Sequence, residues 1–559
     1  MIPSVAFVGA GPTAIYTLHT LIERAARPFA VTIFEEQPIA GRGTPYRPGW
    51  NDPAMLSNIA SIEIPPLEET LVAWLQRQPS DRLAQLDIDP AEIDDRAFYP
   101  RLVLGEFFKD QFHAMIDRAR KRDILVDIRT RCHVTDVASD GAGMLLSVRP
   151  DKGSSTEQRF DHLVLATGHQ WPEQPEIRPG YFLSPWPASA LATVPPVRVG
   201  IRGTSLTAID AAVALAVAHG AFGEDDSGVL RYGPAAGTEN FHLTMMSRKG
   251  LLPEADFYHP VPYEPLAICT AAAVEHLIAT ADGDLLERAY SLFRQELVEI
   301  DPAYAARTGV ATLALEDFCD RYFADRMAAD PFAWAADNLK EAERNYADEV
   351  TVPWRYAILR MHEVIALIVA HLDDDEFERF SRFFKPVFVD EYATIPHESI
   401  KRLLALHRAD KLEILSVGKA HRIESHRAEG GAIVHTDGHP RHFPVFIEAT
   451  GQRPLGAKDF PFPSLRDQGF VRDAAPADPD RPPRGIVVDD QFHMVSDDVP
   501  RDRLFCLSLP FLLGRHPFIQ GITSSQEMGA VVGIELAAAI DREADMGADR
   551  EISDRVSAS

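Results

Sequence analysis

The chain has 559 residues, 46% hydrophobic and 25% charged, which is the balance of a soluble globular protein too long for one ordinary core, so two or three domains are expected. A formal net charge of −27 argues against a polyanion-binding surface and sets nucleic acid and anionic membranes outside the expected partners. Cys132, Cys269, Cys319 and Cys506 lack C-x-x-C spacing, which suits a reducing cytosol better than a disulfide framework or a zinc site, and no metal is expected. Met1 leads into a strand without a basic and then apolar leader, and Met528 to Ile540 carries Glu535 and is too short to span a bilayer, so the expectation is a cytoplasmic protein.

Val5-Ala6-Phe7-Val8 reads as a short buried strand that turns through Gly9-Ala10-Gly11-Pro12-Thr13-Ala14 into helical spacing at Ile15, Leu18, Leu21 and Ile22. This is a dinucleotide fingerprint in its G-x-G-x-x-A form. Gly9 permits the tight turn, Gly11 lets backbone approach a pyrophosphate, and Ala14 lets helix and strand pack closely, with Pro12 and Thr13 at the helix start that faces the phosphates. A second strand, Ala30 to Phe34, ends at Glu35, whose carboxylate is placed to bind a ribose 2′-hydroxyl and to repel a 2′-phosphate.

Gly41-Arg42-Gly43-Thr44-Pro45-Tyr46 is turn-rich, and either continues along a bound flavin dinucleotide through Arg42 and Gly43 or is an ordinary loop. Asn58, among Met55, Leu56 and Ile59, is a pocket donor or a turn residue. Residues 67 to 78 and 98 to 121 read as helices with aromatic faces, the second led by Arg101. Residues 124 to 150 alternate as strands. Phe160 to Leu165 then runs into Ala166-Thr167-Gly168-His169, where small residues bring flexible backbone up to a dinucleotide, and the device recurs where Pro444 to Glu448 runs into Ala449-Thr450-Gly451.

Between these turns lies a second signature, Val197 to Gly200 leading through Gly203, Thr204, Ser205 and Thr207 into a helix, with Ser205 where the second glycine is expected. The strand Phe241 to Met246 ends in Ser247-Arg248-Lys249-Gly250. Arg248 and Lys249 either pair a 2′-phosphate, favouring NADPH over NADH, or form a solvated basic turn. Residues 220 to 239 read as a loop insertion. From 265 to 405 helical periodicity dominates, over 268–280, 283–299, 312–328, 332–348, 353–372 and 375–384. Such an insertion forms a lid or substrate wall, in which Arg355, Arg360 and His362 touch a substrate or are ordinary ion-paired groups.

Ile486 to Asp489 and Leu504 to Leu507 read as strands, and Pro510 to Gly521 as a glycine-, proline- and aromatic-rich loop. Thr523-Ser524-Ser525-Gln526 is expected to cap a helix through Ala539, with residues 541 to 559 a frayed polar tail. That helix start would stabilise negative charge on a reduced flavin. The fold expected is α/β, with two Rossmann-like dinucleotide-binding domains, for FAD and NAD(P)H, and a helical insertion. The divisions are 1–195 and 456–545 for the FAD domain, 196–264 and 406–455 for the NAD(P)H domain, 265–405 for the insertion and 546–559 for the tail.

These motifs, with Leu56-Ser57-Asn58, Arg101 with Gly105 and Phe107, and Glu448-Ala449-Thr450-Gly451, resemble the two-dinucleotide flavoproteins and, within them, the bacterial FAD/NAD(P)-binding proteins. Some members look like flavin-dependent N-oxygenases of small amino acids, including those that oxidise aspartate to nitrosuccinate. The resemblance implies FAD, NADPH with NADH as the alternative, and a monooxygenase that oxygenates the nitrogen of a small amino acid or amine with molecular oxygen through a flavin hydroperoxide. Asn58 is the candidate catalytic donor, with His169 and Pro517 to Gln520 as ring neighbours. A two-electron reductase or oxidase, or a non-catalytic flavin-binding assembly protein, remains the alternative, and a homo-oligomer is left open. Without a redox C-x-x-C, the chain is not of the thioredoxin-reductase type.

Overall fold

The computed structural model describes residues 2–172, 174–426, 428–436, 438, 440–475, 483–494 and 503–557, with side chains to residue 544. They form two compact units, one of residues 1–47, 59–170 and 452–559, the other of 48–58 and 171–451.

The first unit is built on a five-stranded parallel sheet in the order Leu504–Cys506, His162–Leu165, Ser4–Val8, Ala30–Glu35 and Leu125–Thr130. Val5 to Val8 are all buried, the continuous apolar run that a central parallel strand covered on both faces requires. The helix Pro12–Arg24 follows, with proline in its first turn, where a missing N–H costs nothing. Its outer face meets the last helix, Ile522–Ser557. A Cβ on Gly529 would lie 2.8 Å from Thr17 N, and one on Gly533 2.6 Å from Thr20 Cβ, so two glycines one turn apart let the backbones touch. Asp541 accepts the N–H groups of Ala26 and Arg27 at 3.2 and 3.0 Å, pinning the far end of this pair. The helix Arg101–Lys121 buries Phe107, Phe108, Phe112 and Met115 in the same core.

The second unit holds a six-stranded sheet in the order Leu412–Ser416, His242–Ser247, Arg198–Arg202, Val445–Glu448, Tyr181–Phe182 and Glu176–Arg178, parallel except for the last pair. The alanine-rich helix Leu206–His219 packs on it. Nine α-helices are described between Ala271 and Arg408, and their starts explain the prolines there. Asp301 and Asp330 cap helices whose first residue is Pro302 or Pro331, and Pro353 also opens a helix, so these prolines begin helices instead of ending them. Glu296, fully buried, accepts the backbone N–H groups of Ala267, Ile268 and Cys269 and so fastens the entry to this region.

The α/β class with two Rossmann-like sheets and a helical region is thus the observed fold. Four local expectations are corrected. Residues 220–239 contain an antiparallel hairpin, Gly220–Glu224 with Leu230–Pro234, because Phe222 and Tyr232 pair across it. Ile486 makes only an isolated bridge to Asp473, and no strand forms at 486–489. The last helix starts at Ile522, so Thr523 lies inside its first turn and Ser525 donates back to Gly521 O at 3.2 Å. It also continues to Ser557 through the stretch expected to fray. Helices Pro302–Thr308, Lys385–Tyr392 and His397–Arg408 were missed, the first because its two turns are too short to show a period.

Candidate dinucleotide sites

In the first unit Gly9 has φ +103°, and a Cβ there would stand 2.2 Å from the carbonyl oxygen of Ala166. Gly9 N–H donates to Phe34 O at 2.8 Å and Ala166 N–H to Val8 O at 2.9 Å, so the fingerprint turn and the first Ala-Thr-Gly turn form one body. Thr167 is held by Ser508, whose Oγ lies 2.8 Å from Thr167 Oγ1 and 3.3 Å from Thr167 N and donates to Leu165 O at 3.2 Å. Ser508 escaped the sequence reading because no motif surrounds it. Gly168 turns with φ +70° and has nothing within 4 Å of a built Cβ.

The loop after the second strand lies on the fingerprint. Gly41 N–H donates to Ala10 O at 3.1 Å, and a Cβ on Gly43 would meet Pro12 Cδ at 2.7 Å. Gly11 faces Gly43 Cα, 3.3 Å from a built Cβ. Glu35 accepts from Ala10 N at 3.1 Å and from Gln37 N at 2.9 Å, and burial raises its pKa above the usual carboxylate value. Arg42 pairs with Glu106. Burial pushes that carboxyl up, and Lys109 and Arg42 outweigh it and hold it below the usual range. Arg101 opens its helix half-buried, Gln520 is exposed and Thr523 half-buried. The start of Pro12–Arg24 has no side-chain cap, which leaves its N–H groups to an anion. A glycine-lined turn, an uncapped helix start and an acid at the end of the second strand fit the pyrophosphate and ribose of FAD.

The second unit repeats the device. Gly203 has φ +138°, and its Cβ would stand 2.3 Å from Ala449 O. Gly203 N–H donates to Met246 O at 2.7 Å and Ala449 N–H to Arg202 O at 2.9 Å. Ser205 precedes the helix with φ −106° and Gly11 with φ −84°, both extended, so the serine takes the second-glycine position without strain and stays exposed and uncapped. Thr204 Oγ1 donates to Ser247 Oγ at 3.1 Å, Thr207 Oγ1 lies 3.9 Å from a Cβ built on Gly451, and Thr450 is exposed. Arg248 is exposed, whereas Lys249 is turned inward, with Nζ 3.2 Å from the centroid of Phe323, and burial lowers its pKa. An uncapped helix start with an exposed hydroxyl and a nearby guanidinium fits a nucleotide phosphate.

Asn58 is exposed at the end of the segment 48–58. His169 bonds to Gln452, which also accepts Gln170 N–H at 3.1 Å, and burial pushes the imidazole down to about 4, so it is neutral near pH 7. Arg360 donates to the carbonyls of Glu264 and Pro265 at 2.8 and 2.9 Å, and the His362 ring meets Leu359 O. Arg355 belongs to a buried charge cluster that sequence spacing does not reveal. It pairs with Glu254 at 3.0 Å and Glu391 at 2.8 Å, Arg326 pairs with Glu254 at 3.1 Å and Asp390 at 2.6 Å, and Tyr322 donates to Asp390 and Glu391. His426, Glu429 and His442 bring ligand-type atoms within 4.8 Å of one another, and His426 Nδ1 already accepts Glu429 N–H at 3.1 Å.

Residues 6–170 match the family model described as FAD-NAD(P)-binding, and residues 270–392 match the YdhS-like middle domain. YdhS of Escherichia coli (strain K12) is 42% identical over 525 residues, 94% of this chain and 96% of that protein. Among solved structures, the ornithine N-hydroxylase KtzI of Kutzneria sp. 744 is 12% identical with a TM-score of 0.49, covering 97% of this chain and 100% of that one. The cadaverine monooxygenase DfoA of Erwinia amylovora is also 12% identical with a TM-score of 0.49, covering 96% and 94%. No described helix is long and apolar enough to cross a membrane. The chain belongs to the YdhS family, with an FAD/NAD(P)-binding first unit and a YdhS-like middle domain.

Proposed function

We propose that the chain is an FAD-dependent oxidoreductase reduced by NADPH, and that it oxygenates the nitrogen of a small amino acid or amine. The observation that carries the reading is the doubled turn, Gly9 against Ala166 and Gly203 against Ala449, which supports a dinucleotide cradle in each unit. Bound in the first, FAD supplies two-electron transfer and the activation of dioxygen. The residues of the chain supply binding and exclusion. The helix starting at Pro12 neutralises the pyrophosphate, Glu35 takes the ribose hydroxyl, and neutral His169 with Gln452 holds the backbone beyond Gly168. In the overall reaction one oxygen atom of dioxygen joins the nitrogen and the other leaves as water, the two electrons coming from NADPH. Disulfide chemistry is disfavoured, since all four cysteines are free thiols and burial pushes Cys269 up to about 12 and Cys506 to about 11.

The test is the purified full chain. The expected results are a flavin spectrum, bleaching on anaerobic mixing with NADPH, and incorporation of one labelled oxygen atom from dioxygen into an amine or amino acid, read by mass spectrometry. A chain without flavin even after reconstitution overturns the whole reading. Electrons recovered only as hydrogen peroxide across an amine panel overturn the oxygenase part and leave an oxidase.

A further inference from the structure

We infer that Lys419 is the second cation for the adenosine 2′-phosphate of NADPH, acting beside Arg248 in the place that Lys249 leaves open. The inference rests on the reading of the second unit as a nicotinamide-nucleotide site. In a doubly wound sheet the adenosine ribose lies over the loop after the second strand of the unit, next to the loop after the strand beyond it. Here those strands are His242–Ser247 and Leu412–Ser416, which pair in parallel with Ser247 opposite Ser416. The pairing continues past both strand ends, with Val417 N–H donating to Ser247 O at 3.0 Å and Gly418 N–H to Arg248 O at 3.2 Å. Ser416 Oγ donates to the same Arg248 carbonyl at 3.2 Å. Gly418 then turns with φ +67°, and Lys419 follows directly.

Two backbone loops are therefore stitched together, and each offers an exposed cation at the junction, Arg248 and Lys419. Among the described residues, neither is seen paired with a carboxylate. Lys249, the neighbour in sequence, is spent on the ring of Phe323. A dianionic monoester held by a guanidinium fork and an ammonium is the ordinary way to recognise a phosphate. NADH, which lacks the monoester, gains nothing from either group.

The experiment measures the dissociation constants of NADP⁺ and NAD⁺ for the full chain and for Lys419→Ala, Arg248→Ala and Lys249→Ala, by calorimetry, with a melting curve for each. Lys419→Ala is expected to weaken NADP⁺ about tenfold and to change NAD⁺ by less than about twofold, as Arg248→Ala does, since a charge-assisted bond is lost in each. Lys249→Ala is expected to lower the melting temperature and to leave the NADP⁺ to NAD⁺ ratio unchanged. A Lys419→Ala protein that binds both nucleotides like the parent, or a parent that binds them equally, overturns the inference and leaves the dinucleotide reading standing. A folded parent that binds neither nucleotide removes the reading itself.

Discussion

Gly203 stands so close to the carbonyl oxygen of Ala449 that a Cβ would approach it to 2.3 Å, and Gly9 stands against Ala166 in the same way at 2.2 Å. In each unit a helix-leading turn and a returning strand end are thus locked by a glycine, and any side chain must push apart two backbones.

Gly203→Ala is expected to destabilise the second unit by about 3 kcal/mol, from overpacking against the carbonyl added to a left-handed φ. The purified variant should keep its flavin and lose reduction by NADPH. Gly9→Ala should instead emerge without flavin, so that no bleaching can be read until the cofactor is restored. Absorbance after purification and the rate of bleaching separate the two.

Ser205 and Gly11 occupy equivalent extended positions under different constraints. Gly11 is covered by Gly43, whereas Ser205 is exposed. Ser205→Gly is expected to change NADP⁺ affinity by less than about threefold, since glycine at a helix start costs only a few tenths of a kcal/mol. Gly11→Ser should cost flavin retention, because the loop from Gly41 must lift. Nucleotide titration and the flavin to protein ratio check these outcomes.

The strand, turn and helix order of both units, with Glu35 closing the second strand of the first, was legible because each residue there answers to a local requirement, tight turn, close approach or small contact. What stayed hidden depends on partners far away in the chain. Ser508 holds Thr167 from 341 positions away, and Lys249 finds Phe323 in the helical region. The hairpin at 220–239 was hidden by its glycines and aspartates, which read as loop although Phe222 and Tyr232 mark a paired ribbon. Arg355 is a common helix residue until Glu254 and Glu391 are brought to it.

Burial pushes Glu391 up to about 7, with Arg355 pulling it back. The folded chain therefore holds this proton more tightly than the unfolded chain, whose glutamates titrate near 4.3. The contribution to stability is full below about pH 4 and is lost as pH rises to about 7, above which the slope vanishes. Glu391→Gln should gain stability relative to the parent between pH 5 and about 7, by up to about 1.4 kcal/mol per unit of pH, and then run parallel to it. Melting temperatures in matched buffers give the difference curve.

Gly533→Val is expected to force the last helix off Pro12–Arg24, since its Cβ would meet Thr20 Cβ at 2.6 Å. The cost is about 1–3 kcal/mol, with weaker flavin retention because Thr13 also contacts Ser525 at 3.1 Å. Thermal unfolding followed by flavin fluorescence reads both effects at once.

The seam between Pro12–Arg24 and the closing helix sets an order on biosynthesis. Every strand of the second sheet lies between residues 176 and 448, so that sheet is translated in full while the fingerprint helix still awaits Gly529 and Gly533. The half of the molecule begun first on the ribosome is therefore the half completed last, and a nascent chain stalled before the closing helix carries the whole second sheet while the fingerprint helix is still uncovered.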